Sequence, residues 1–261
     1  MQTGAITGYI DVAQLALYAF WLFFAGLIYY LRREDKREGY PCVTDKPRSV
    51  PVQGWPAIPS PKAFRMQHGD DVLAPGDRGD KRPLAMRPHE PWYGSAWDPT
   101  GDPMRDGIGP GSYAERADVP DMTFDDEQPK IVPLRAAPDF FLATEDPDPR
   151  GMEVVGADRR RAGTVVEVWI DRSEVVARYL EVELDAGSDG GGRRVLVPVN
   201  LSKIDARRRR VTVESILAGQ FAAVPGLKDP DLITLLEEDR IVAYYGGGKL
   251  YAEPSRLGPV L

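Results

Sequence analysis

IDVAQLALYAFWLFFAGLIYYL, residues 10–31, is one apolar stretch, and Arg32, Arg33, Lys36 and Arg37 follow directly after it. From Leu15 to Leu31 there is neither a charge nor a proline. A helix needs roughly 20 such residues to cross the hydrocarbon core of a bilayer. Asp11 and Gln14 suit one interface, and Tyr29 and Tyr30 the other, where aromatic rings prefer to lie. The first thirty residues hold no Lys or Arg and the next seven hold four. The positive-inside rule then predicts residues 1–10 outside, a transmembrane helix over 11–31, and the remaining chain in the cytoplasm. A secretory signal peptide fits poorly, because its charge would precede a shorter apolar core and a small-residue cleavage site would follow. A buried core helix fits no better, since no face of the segment is polar.

The whole chain has 261 residues, a formal charge of -7 and a pI near 5.1. That length leaves one compact domain plus a long irregular region beyond the anchor. The negative balance argues against a nucleic-acid partner. Glu34, Asp35 and Glu38 interleave the basic cluster, so it reads as a topology signal and a lipid-headgroup contact (Arg32 and Arg33, with Tyr29 and Tyr30) instead of a strong polybasic patch. Cys42 is the only cysteine, which excludes an intrachain disulfide and a thiolate metal cluster and agrees with a reducing compartment. His68 and His89 lack the spacing of a helical metal site and read as exposed loop histidines.

Residues 32–150 are rich in Pro, Gly and Asp, yet they carry Trp55, Phe64, Trp92, Tyr93, Trp97, Tyr113 and Phe124. So many large aromatics in irregular chain predict an extended region laid over partner surfaces. From Gly151 the character changes. Gly163–Ile170 and Arg178–Leu184 alternate apolar and polar residues, the period of half-buried strands. Asp185–Gly192 reads as a turn, Arg194–Pro198 as the returning strand and Arg210–Val213 as another. Residues 151–253 are therefore predicted as a small antiparallel barrel or sandwich with a helix over 230–245. In that helix Asp229 caps, Pro230 fits the first turn, Leu232, Leu235, Leu236 and Val242 form an apolar stripe, and glycines 246–248 terminate it. Residues 254–261 form a tail.

Most short motifs dissolve on inspection. Gly246-Gly-Gly-Lys249 lacks the spacing and the Ser/Thr of a phosphate loop. Arg159–Arg161 and Arg207–Arg210 lead into strands without stacking aromatics, which suits turns or anionic lipid better than nucleic acid. Arg78-Gly-Asp80 and Asn200-Leu-Ser202 have no meaning in the cytoplasm. No catalytic triad or dyad is supported. One constellation stands out: Asp121, Asp125, Asp126 and Glu127 in one loop, with Asp171, Glu174 and Glu181 along a strand and its neighbouring turn. Such carboxylates form a solvated face, or exchange protons where neighbours raise their pKa values.

Longer motifs choose between these. Asp11, Phe20-Trp21, Ala25-Gly-Leu-Ile-Tyr-Tyr-Leu31, Arg37-Glu-Gly-Tyr-Pro41, His68-Gly69, Thr100-Gly-Asp-Pro-Met104, Asp106-Gly-Ile-Gly-Pro110, Ala177–Leu184, Leu235-Leu-Glu-Glu-Asp239 and Gly247–Ala252 run in order over nearly the whole chain. In these the chain resembles the H subunit of the photosynthetic reaction centre of purple bacteria. The resemblance implies a membrane protein: a single N-terminal transmembrane α-helix with a periplasmic N-terminus, an extended middle, and a cytoplasmic mainly-β domain on a small PRC-type barrel with a C-terminal helix. It implies a non-catalytic subunit of the bacterial inner membrane that binds no cofactor itself. Its partners would be the L and M subunits, which carry bacteriochlorophyll, bacteriopheophytin, quinones and non-haem iron, a light-harvesting antenna ring, membrane lipids, and optionally a periplasmic cytochrome subunit.

The implied job is to cap the L and M chains on the cytoplasmic face, shield the quinone sites, and conduct protons to the secondary quinone. Glu174 matches the family's buried proton-path glutamate, with Asp171 and Arg178 at neighbouring matching positions. Where some members place paired surface histidines before the Lys130-Ile131 pair, this chain has Asp126 and Gln128, so Asp125, Asp126 and Glu127 are expected to collect protons instead. The alternative is a membrane-tethered adaptor whose barrel docks another cytoplasmic partner without photochemistry. A membrane-bound enzyme is the third reading, with no constellation to support it.

Overall fold

The first helix, α1 (Val12–Glu34), begins where Asp11 accepts a hydrogen bond from the Gln14 backbone N–H at 2.7 Å and closes on Arg32 and Arg33, which favour the negative end of the helix. It runs three residues beyond the expected 11–31 because Arg32–Glu34 keep helical backbone at the polar end. None of its residues is buried within the chain, and it is long and apolar enough to cross a membrane. The computed structural model describes residues 4, 6, 11–40, 42, 53–66, 70–76, 80, 82–92, 94–186 and 192–257. Most of the 1–10 segment, Pro41, His68-Gly69, the Arg78-Gly79 pair, Tyr93, the middle of the Asp185–Gly192 turn and residues 258–261 lie outside them.

The chain divides into two compact units, residues 1–79 with 90–95, and residues 80–89 with 96–261. In the first, a single 3₁₀ turn (Asp35–Arg37) follows α1. Lys36 is only 1% exposed: its ammonium donates to the carbonyls of Gln53 and Pro56 and lies 5.2 Å from the Tyr40 ring. Arg37 forks onto Glu34 at 2.7 and 2.8 Å and donates to the carbonyls of Ser60 and Ala74. Two of the four cations after the anchor thus organise the irregular chain behind it, while Arg32 and Arg33 stay exposed. Two short strands, β1 (Lys62–Phe64) and β2 (Val72–Ala74), pair antiparallel.

In the second unit β3 (Met86–Pro88) and β4 (Trp97–Pro99) form an antiparallel pair, beside which His89 Nδ1 meets Asp98 Oδ2 at 2.9 Å. The main sheet comprises β5 (Ile131–Pro133), β6 (Glu153–Val155), β7 (Arg161–Asp171), β8 (Val176–Leu184), β9 (Arg194–Pro198), β10 (Lys203–Asp205) and β11 (Arg210–Thr212). Its order is β10-β11-β6-β7-β8-β9, with β5 also on β7. Two features depart from a closed antiparallel barrel. The hydrogen-bonded path among the described residues does not close, and β11 runs parallel to β6. Val154, Val165, Val168, Trp169, Leu180, Val182, Val195 and Val197 fill the core, joined by Met104, Ile131, Val132 and Leu134 from the Pro/Gly-rich stretch.

The C-terminal helix α2 spans Leu235–Tyr251, not 230–245. Thr234 and Glu237 form a reciprocal capping box that satisfies two orphan N–H groups, so the helix starts there. Asp229 instead accepts from the Asp231 N–H in a preceding tight turn. The buried face includes Ile241, Tyr244, Tyr245, Gly247 and Gly248, whereas Val242 is exposed and Leu232 precedes the helix. The glycines do not end the helix; they let its backbone touch its neighbours. A Cβ on Gly247 would stand 3.0 Å from Gly111 Cα, and one on Gly248 would stand 2.6 Å from the Ser215 carbonyl oxygen. Gly248→Ala should therefore cost about 1–3 kcal/mol of unfolding free energy through overpacking. Gly219→Ala, where an added methyl meets nothing within 4 Å, should be near neutral. Denaturant unfolding of the two variants checks the pair.

Candidate functional site

Residues 121–130 form a short arm. Lys130 N–H donates to the Asp121 carbonyl and Thr123 N–H to the Gln128 carbonyl, both at 2.8 Å, which leaves Phe124, Asp125, Asp126 and Glu127 at an exposed tip. Glu127 holds a left-handed backbone (φ 51°) to turn the corner. The Thr123 hydroxyl donates to the Asp126 carboxylate and holds it below the usual carboxylate range. Asp126 is thus tied to its own loop.

The arm runs into β5, whose register sets Ile131 opposite Asp171, the last residue of β7. That pairing brings Lys130 Nζ within 3.6 Å of Asp171 Oδ2 and 3.7 Å of Asp121 Oδ2. The two oxygens of Asp171 differ. Oδ1 accepts the N–H groups of Ser173 and Glu174 at 2.9 and 3.0 Å and so builds the β7–β8 turn. Oδ2 is buried and has no hydrogen-bond partner among the described residues. Asp171 is 1% exposed. Glu174, which the resemblance carried over as a buried glutamate, lies exposed on this chain with Arg178 at 3.9 Å. The reason is its place in the turn: strand-end Asp171 faces the sheet, and Glu174 sits at the loop's outer corner.

Glu238 completes the cluster. Its Oε2 accepts from the Tyr179 hydroxyl at 3.1 Å. Burial pushes the Glu238 carboxyl up; the Tyr179 hydrogen bond, Arg178 and Arg116 pull it down, and Asp121 adds to the rise. Burial, and the nearby Glu238 charge, also push the Tyr179 phenol far up. Nothing local in the sequence singled out Glu238, because an acid in the first turn of a helix reads as a dipole partner. Its neighbour Glu237 takes that role through the capping box.

Glu181 is the opposite case. Burial pushes its carboxyl up, but hydrogen bonds from Arg135 at 2.7 Å, Trp169 Nε1 at 3.0 Å and Arg194 at 3.0 Å outweigh that and hold it below the ordinary value. Both its oxygens are occupied, so it belongs to the fold and not with Asp171 and Glu238. At the anchor, Tyr29, Tyr30, Arg32 and Arg33 are exposed, with Tyr29 5.5 Å from Trp55 and Arg32 3.9 Å from Asp35. Among the described residues no group of three or more His, Cys, Asp or Glu is arranged to hold a metal ion.

Residues 4–136 match the family model of the photosynthetic reaction centre, H-chain N-terminal region, which spans more than half the sequence. The chain belongs to the reaction centre H-chain family. Residues 143–219 of this H chain match the PRC-barrel domain. The H chain is a structural subunit of the photosynthetic reaction centre that associates with the L and M subunits, and its one N-terminal apolar helix fits a membrane-anchored subunit. The acidic arm falls within the first match and Asp171, Glu174, Arg178 and Tyr179 within the second, whereas Glu238 lies beyond both.

The raised Glu238 carboxyl has a testable sign. Its proton stabilises the folded state fully below the ordinary value of 4.5, and that contribution is lost as pH rises through the higher folded value. The stability of the native H chain minus that of Glu238→Gln should therefore fall as pH is raised from about 4.5 towards neutrality. Denaturant titrations across that range measure it; a flat difference would contradict the burial argument.

Proposed function

We propose that this H chain caps the cytoplasmic face of the L and M subunits, shields their quinone sites, and conducts protons to the secondary quinone as light-driven electrons reduce it. The N-terminus of α1 lies on the periplasmic side and the β-domain in the cytoplasm, a reading that the charge asymmetry about the anchor supports. The observation that carries the proton role is the divided carboxylate of Asp171. One oxygen builds the turn, while the other is buried, uncommitted and linked through Lys130 to Asp121 at the foot of the acidic arm.

In this reading protons land on Asp125 and Glu127, whose carboxylates stand in water. Asp126 joins them as a charged attractor, since its Thr123 hydrogen bond disfavours protonation. The proton moves by water to Asp121, and Lys130 keeps the Asp121 and Asp171 charges balanced between transfers. Asp171 takes it on Oδ2 without disturbing the turn. Glu238, favoured in its protonated form, buffers the same cluster, and Glu174 with Arg178 forms the exit on the face towards the quinone-binding subunits. The exposed Val175 and Val176 beside that exit, with Val199 and Val242 along the adjoining surface cleft, give an apolar rim for docking on the L and M subunits. Bacteriochlorophyll, bacteriopheophytin, the quinones and the non-haem iron belong to those partners. The unburied surface of α1 meets their helices, lipid and the antenna ring, with Tyr29, Tyr30, Arg32 and Arg33 at the headgroups.

The test is flash-induced proton uptake by the assembled complex. Asp171→Asn keeps the amide oxygen that the turn needs and removes the proton acceptor. It should slow uptake coupled to the second electron by about tenfold or more, leaving the first electron transfer unaltered. Asp125→Asn, Asp126→Asn and Glu127→Gln together should slow it as well. Unchanged uptake in both variants would remove the proton role and leave only the capping one.

A further inference from the structure

Away from the acidic arm in sequence, a cleft of about 350 Å³ opens between β10, the segment after β11 and the end of α2. Its chemistry is the reverse of the chain's overall charge. Lys203, Lys249 and Arg256 line it against a single carboxylate, Glu214. Lys203 pairs with Glu214 at 2.7 Å, with both side chains largely exposed, so that pair opens at little cost. Lys249 has no carboxylate within 4.0 Å among the described residues. Arg256 spends Nη1 on the carbonyls of Ser215 and Gly248 and Nε on Glu253, which fixes its plane, and Nη2 has no partner among the described residues.

A lysine in the last turn of α2 is favoured by the helix dipole, which accounts for Lys249 alone. It does not account for three cations lining one concavity together with Asn200 and Thr212. Ser215 also lines the cleft, although its side-chain oxygen is itself buried, with no hydrogen-bond partner among the described residues. Close approach of α2 at Gly248 holds this wall rigid, since the Ser215 carbonyl lies against the helix backbone.

The geometry points to a phosphate-binding site in this cleft, held by Lys203, Lys249 and the Nη2 edge of Arg256, and separate from the proton-carrying cluster. The group bound is a phosphate oxyanion, supplied by free phosphate or by an anionic lipid headgroup. Such an anion suits two flexible ammonium groups beside one fixed guanidinium edge.

Lys249 itself reports occupancy. The full chain is reconstituted in phosphatidylcholine nanodiscs, and the rate of Lys249 acylation by an amine-reactive reagent is read by peptide mass spectrometry, with Lys228 as the control lysine. Inorganic phosphate should protect Lys249 saturably and leave Lys228 unaffected, which identifies free phosphate as a ligand. Protection on replacing part of the lipid with phosphatidylglycerol, in phosphate-free buffer, identifies the headgroup instead. In whichever arm protects, Lys203→Gln, at an exposed position, should weaken it about tenfold by removing one charge-assisted contact. No protection in either arm, equal protection of Lys228, or protection indifferent to Lys203→Gln would each overturn the site.

Discussion

The second unit hangs on β7, because that strand is hydrogen-bonded along both edges to three different partners. β8 follows one edge for nearly its full length, and β6 and β5 share the other in succession. Both its faces are also packed, so that Val165, Val168 and Trp169 are almost wholly removed from water. Each such side chain contributes roughly 1.5–3 kcal/mol of burial. The same strand delivers Asp171 to a dry position at its end, next to Lys130, the residue just before β5. Structure and site therefore have a common origin: the register that forms the core also aligns the acid with its cation.

Three buried or half-buried carboxylates show how donors decide the role of an acid. Glu181 receives three hydrogen bonds, two from arginines, and is locked in its charged form. Asp171 divides its oxygens between a turn and an open valence. Glu238 receives one phenolic hydrogen bond in surroundings that resist charge. Sequence position alone cannot rank them, since all three sit in runs of alternating or helical character. What separates them is the count and charge of the donors that the fold brings within reach.

That difference explains which parts were legible beforehand. The anchor, the alternating strands β7, β8 and β9, and the acidic loop declare themselves through patterns a few residues long. Asp171 and Glu174 belong to the same acidic constellation in the sequence, but which of them the chain buries depends on the turn between β7 and β8: Asp171 ends the strand almost fully buried and Glu174 lies exposed beyond it. Glu238 was hidden beside a capping glutamate. Lys36 looked like one more topology charge, since the carbonyls that bury it belong to irregular chain at Gln53 and Pro56. Glycines 246–248 resembled a helix terminator for a similar reason: the surfaces they approach, near Gly111 and Ser215, are remote in sequence.

The contact between α2 and the segment around Met104–Gly111 also bears on how the chain is made. Met104 and Gly111 pack against glycines that leave the ribosome roughly 140 residues later, an interval of about 7–30 s at ordinary synthesis rates. Throughout that time the anchor is free to enter the membrane while the middle of the chain has no helix to settle on. Insertion thus has time to precede completion of the second unit. The Pro- and Gly-rich composition of the waiting segment suits such a delay, because it offers few strands or helices of its own that could form wrongly before the last element arrives.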